Sequence, residues 1–194
     1  MEHIWTSRNG LEDGSCEKMD GYLIRELEGI QRPDIKDYNQ VINYQAFEKG
    51  LYYEMPERSI CVLNNEADLG LLLLTPFPLF HAETRKSLDL FLWECRYREY
   101  VFLDQKNNRS ERYYLPFFLR INGDVDGGRD KNKGIVHLMG TWPEDIPAVY
   151  VQTGEKLQVL VRLALLESLM RRGLDGVEVL PVRIQEGGAE NGGL

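Results

Sequence analysis

The chain has 194 residues, 43% of them apolar, and a formal charge of −8. That length suits one domain, or at most two small ones, with room for a sizeable core. The acidic balance argues against a general nucleic-acid binder, because phosphate contacts need a basic surface.

Residues 1–20 are polar, with Gly10 and Gly14, and are expected to form an extended arm. A first strand is expected at 22–27 (YLIREL), then a loop over 31–37 that contains Pro33. Residues 39–51 place Val41, Ile42, Tyr44 and Phe47 before Gly50, a pattern that fits a strand or a short helix equally. Residues 59–63 (SICVL) read as a buried strand. The apolar run 69–74 is followed by Pro76 and Pro78 and is far too short to span a bilayer.

Leu88, Phe91, Leu92 and Cys95, with charged residues between them, predict a helix over 82–95. Residues 97–103 (YREYVFL) turn β-rich, 104–112 form a polar turn, and 113–121 (YYLPFFLRI) return as a strand. Pro116 there points to a bulge or an edge position. A loop follows over 122–134, then strands over 135–139 and 148–152, with Pro143 and Pro147 bracketing a turn between them.

The last quarter is the most legible. Residues 157–161 (LQVLV) are expected as a strand, although the spacing also admits one long helix over 157–172. A helix over about 163–172 then ends at Arg171 and Arg172, which complement its dipole, and at Gly173, which can take the left-handed cap. Residues 174–182 close the domain as a strand. The fold class is therefore α+β: a single domain over 21–185, with a mixed or antiparallel sheet and two main helices, about 82–95 and 163–172. Residues 186–194 are a glycine-rich tail expected to be disordered.

No motif for catalysis or cofactor binding stands up to its spacing. Residues 122–134 approach a calcium loop through Asn122, Asp124, Asp126 and Gly127. Lys133, however, stands where a bidentate glutamate is needed. Asp124, Asp126 and Asp130 leave room for a weak site at most; a solvated turn fits better. Cys16, Cys61 and Cys95 are far apart and odd in number, poor material for disulfides or zinc and suited to a reducing compartment. Cys61 and Cys95 fall on apolar faces and read as core residues. His3, His81 and His137 lack ligand spacing. No cofactor, no metal and no catalytic residue is expected, and the chain is not expected to be an enzyme. The first residues lack a basic region followed by an apolar stretch, so a cytoplasmic location is expected, with no membrane partner.

The charge is unevenly distributed. Residues 1–70 hold 14 acidic against 7 basic side chains, and 71–194 hold 17 against 16. Within 24 residues of that acidic third lie Asp34, Asp37, Tyr38, Tyr44, Glu48, Tyr52, Tyr53, Glu54 and Glu57. Tyrosine gives large contact area at low entropy cost, and carboxylates pair with arginine. These residues form a candidate surface for a basic partner, against the plainer reading of a solvated face with half-buried rings.

The tail LQVLVRLALLESLMRRGLDGVEVLPV resembles the closing segment of immunity proteins from bacterial polymorphic-toxin systems, through Leu166, Leu169, Gly173, Leu174, Gly176, Val177 and Val179. The match covers about 25 residues. The resemblance implies a cytoplasmic protein that binds a cognate secreted toxin domain and occludes or locks it; the acidic third implies that this partner has a basic face. Two other readings are a small hydrolase or transferase pairing Cys61 with His81 or His137, and a secretion-system adaptor or chaperone.

Overall fold

The computed structural model describes residues 20–27, 34–35, 44–64, 69–74, 77–126, 134–154 and 156–187. It is α+β, built on two mixed sheets. One is a closed six-stranded barrel, an architecture the strand pattern did not announce. Its strands are β1 (Gly21–Glu26), β7 (Leu119–Asp126), β8 (Gly134–Leu138), β9 (Ala148–Thr153), β10 (Lys156–Val161) and β11 (Val177–Glu186), in the order β1-β10-β9-β7-β8-β11. The other sheet is contiguous in sequence and sits between β1 and β7. It comprises β2 (Arg58–Val62), β3 (Leu72–Leu73), β4 (Leu79–His81), β5 (Tyr97–Asp104) and β6 (Arg109–Pro116), in the order β2-β5-β6-β4-β3. Among the described residues three α-helices accompany them, α1 (Tyr44–Glu48), α2 (Ala82–Phe91) and α3 (Leu163–Arg171), with a 3-10 turn at Tyr52–Glu54.

The barrel closes because β1 pairs on both sides, with β10 and with β11. Strands β11 and β8 run parallel, as do β7 and β9; the remaining pairs are antiparallel. Leu23, Ile121, Val136, Val149, Val151, Leu160, Leu180 and Val182 fill the interior, with Trp142 packed among them. The alternate residues Ile24, Ala148, Tyr150, Val159 and Val161 point out of the barrel and yet are buried, in a second cluster shared with the five-stranded sheet and α3. Strands β1, β9 and β10 thus carry a core on each face. This explains why 157–161 shows no clean alternation: a strand buried on both sides has no polar face to display.

Chain punctuation departs from the sequence pattern at several places, among them the loop expected over 122–134, whose first five residues continue β7 to Asp126. The run 113–121 is two strands, since Pro116 has no N–H to donate; Phe117 and Phe118 carry the chain from the sheet into the barrel. The polar stretch 104–112 turns only at 105–108, and Arg109–Pro116 is already β6, paired along its length with β5. The expected buried strand at 59–63 is β2 with one exposed face, Ile60 being 56% accessible. The helix expected over 82–95 stops at Phe91, because Leu92 leaves the helical region at φ −130° and its N–H closes on the Leu88 carbonyl.

The C-terminal unit forms as expected: strand β10, helix α3, glycine turn, strand β11. The Gly173 N–H binds the Met170 carbonyl, the Leu174 N–H reaches back to Leu169, and Gly173 sits at φ +79°. This double closure satisfies the last carbonyls of α3, and the buried Leu174 packs in the same cluster as Leu169. Strand β11 runs further than 182. It takes in Glu186, which the sequence reading gave to the tail: Glu186 accepts the Trp142 N–H at 2.8 Å, and Gly187 bonds to Leu138. Residues 188–194, like 1–19, lie outside the described residues. No helix among the described residues is long and apolar enough to cross a membrane.

Candidate functional site

Between α1 and β2 the chain makes a short loop whose main-chain oxygens face inward onto two arginines. Gly50 at φ +70° ends α1, with the Leu51 N–H bound to Ala46 and the Gly50 N–H to Phe47. Arg120, on β7, donates Nη1 to the Glu48 carbonyl at 2.8 Å and Nη2 to the Phe47 carbonyl. Its Nε reaches the Tyr52 hydroxyl at 2.8 Å, and the guanidinium lies 4.4 Å from the Phe47 ring centre. A cation at the last carbonyls of a helix answers both their unmet hydrogen bonds and the helix dipole. Arg98, on β5, donates to the carbonyls of Met55 and Tyr52 at 3.0 and 2.9 Å and lies over the Phe117 ring.

The loop therefore turns its backbone polarity inward and its charged side chains outward. Glu48, Glu54 and Glu57 are exposed, and Tyr53 is 76% accessible. None of the three glutamates joins an ion pair among the described residues. Arg58, just beyond, is engaged by Glu99; Lys49 is exposed alongside.

The acidic and aromatic stretch is not assembled as one patch. Tyr52 is half-buried, stacked face to face on Phe117 at 4.1 Å, with its hydroxyl taken by Arg120. Burial raises its pKa above the ordinary phenol value against the opposing pull of Arg120. It supports the loop from beneath. Asp34 is exposed but binds Asn64, at the far end of β2 from Glu57. Seven residues of extended chain put the two roughly 23 Å apart. Tyr44 opens α1, but its side chain lies outside the described residues, as do Asp37 and Tyr38 entirely.

The sheet also separates the residues of a cysteine site. Cys61, on β2, and His81, on β4, are three strands apart, about 14 Å. His137 is exposed on the barrel strand β8. Cys61 is fully buried, and burial pushes its thiol up to about 12, the wrong direction for a nucleophile that works as thiolate. His81 is occupied structurally: its Nδ1 accepts the Glu83 N–H at the start of α2, and its Nε2 lies 3.0 Å from Glu111. In the calcium-like stretch, Asn122, Asp124 and Asp126 lie along β7, spread roughly 7 Å apart instead of converging on an ion. Asp130 and Lys133 lie outside the described residues. No group of three potential metal ligands occurs among the described residues.

One feature escaped the sequence reading. Trp93 is 89% exposed and Leu90 71% exposed. Both fall off the stripe formed by Leu88, Phe91, Leu92 and Cys95, and large apolar residues on the polar side of a helix pattern were the available signal. Compared with known proteins, the chain matches no family model, no curated protein and no solved structure.

Proposed function

We propose that this chain is an immunity protein that binds a cognate secreted toxin domain and neutralises it, by occluding or locking that domain and transforming no substrate itself. The observation that carries the reading is the loop from Glu48 to Glu57, where three exposed carboxylates and an exposed tyrosine stand on a backbone held by Arg98 and Arg120. A recognition loop ordered before it meets its partner loses less entropy on binding, and its exposed net negative charge speeds encounter with a basic surface. The C-terminal resemblance supports the same class, and its Gly-Leu-x-Gly core has a clear local cause: Gly173 and Gly176 both take positive φ, and Leu174 is buried between them. On this reading the barrel and the five-stranded sheet act as one domain in the cytoplasm of the producing cell. A stable complex would bury roughly 1,600 Å² in total.

The test begins with the genes beside this chain's own, where the proposal expects one to encode a toxin domain. Co-expression should protect cells from it, and the triple change Glu48→Lys, Glu54→Lys, Glu57→Lys should cut the association rate about tenfold at low salt. The melting temperature should stay unchanged, because all three side chains are exposed. Wild-type chain that neither binds nor protects would sink the proposal. Unaltered association kinetics in the triple variant would remove the loop from it.

A further inference from the structure

We infer that Trp93 and Leu90, at the C-terminal end of α2, form the apolar centre of the partner interface, with the carboxylates of the 48–57 loop on its rim; this rests on the reading of the loop given above. Tryptophan carries the largest apolar surface of any side chain, and exposed aromatic anchors are where interface energy concentrates. The fold itself puts Trp93 in water. The buried positions of α2 are Thr84, Ser87 and Leu88. Leu92 then breaks the helix, so Trp93 lies in the turn that takes the chain back to β5. Phe91, at 37% accessible, widens the apolar area.

This turn and the acidic loop hang from the same end of the five-stranded sheet. The Arg96 carbonyl accepts the Phe117 N–H at 3.0 Å, and the Phe117 ring is the one stacked on Tyr52. Arg98, two residues beyond Arg96, ties down the Tyr52 and Met55 carbonyls. The two segments thus flank the starts of β5 and β2.

The charges around the indole say what covers it. On α2 each cation is already matched: Arg85 with Asp89 at 3.3 Å and Lys86 with Glu83 at 2.7 Å. Glu94 is exposed and, like Glu48, Glu54 and Glu57, is in no ion pair among the described residues. Arg58 is held by Glu99, so Lys49 and Arg96 are the exposed cations nearby in sequence that are in no ion pair among the described residues. Negative charge prevails, so the occupant is a protein surface with an apolar pocket for an indole, ringed by lysine or arginine. A second copy of this chain fits poorly, since a two-fold contact through this face would set carboxylate against carboxylate.

Trp93→Ala is compared by surface plasmon resonance with wild type and with the triple lysine variant, for binding to the toxin domain expected from a neighbouring gene. In parallel, a photo-cross-linking phenylalanine is placed in intact cells at position 93. The control is position 139, where Met139 is 77% exposed beyond the end of β8. Trp93→Ala should weaken binding about 30-fold, mostly through faster dissociation, with no change in melting temperature. Binding within twofold of wild type, while the lysine variant is impaired, overturns the anchor and leaves the loop standing. If the toxin domain does not bind, but position 93 cross-links a basic protein whose affinity Trp93→Ala abolishes, the anchor stands and the toxin reading falls. Cross-linking no greater than at position 139, or only to a second copy, overturns the anchor.

Discussion

Three arginines of this chain share one structural task. Arg98, Arg120 and Arg162 each lie against an aromatic ring and donate to main-chain carbonyls where the chain turns between elements. Guanidinium suits this use because it holds five donors in one plane and keeps its charge when half buried. Lysine cannot copy it, because one ammonium cannot span the Phe47 and Glu48 carbonyls and the Tyr52 hydroxyl while also stacking on Phe47. Arg120→Lys should therefore cost about 2 kcal/mol. The check is a urea midpoint that falls with an unchanged slope, together with faster hydrogen exchange at Leu51. A midpoint within error of wild type would mean that the guanidinium does not hold the loop. None of this is visible near Tyr52 in the sequence, where the ring is a candidate contact on the acidic surface or a half-buried ring, with nothing to say which. Its partner Arg120 lies 68 residues further on.

Local signals settle the ends of elements wherever the cause of the ending is itself local. The end of α3 was legible because a glycine at φ +79° is a backbone demand that only the residue there can meet. The end of α2 was not, because Leu92 has no breaker's chemistry and the helical spacing continues to Cys95. Gly173→Ala isolates the first case. A Cβ there would meet nothing within 4 Å, so the cost is conformational, about 1 kcal/mol, and Gly173→Asn should recover part of it. Gly123→Ala on β7 should cost clearly more, since its Cβ would fall 2.7 Å from the His137 carbonyl oxygen. Chemical denaturation of the three variants orders them. Equal losses at 173 and 123 would contradict the distinction between a backbone cost and a collision.

Barrel and sheet are joined through side chains that belong to both. Tyr150, fully buried on β9, donates its hydroxyl to the Pro116 carbonyl at 2.8 Å, where β6 ends, and packs against Phe47 and Phe118. Ile24, Val159 and Val161 leave the barrel to enter the same cluster as Tyr100, Phe102 and Leu115 from the sheet. A core shared in this way should unfold in one step. Far-ultraviolet circular dichroism and the fluorescence of Trp142 should give coincident urea transitions in a chain whose other tryptophans are phenylalanine. Two separated transitions would show that sheet and barrel are independent. The sequence was sufficient for what depends on neighbours along the chain: the α+β class, most strands, the strand–helix–strand close and its glycine cap. It could not give the barrel, the position of β1 between β10 and β11, or the division of the acidic stretch into a presented loop, an internal Tyr52 and a distant Asp34. Those depend on pairings between residues far apart in the chain, which leave no periodic trace in either partner.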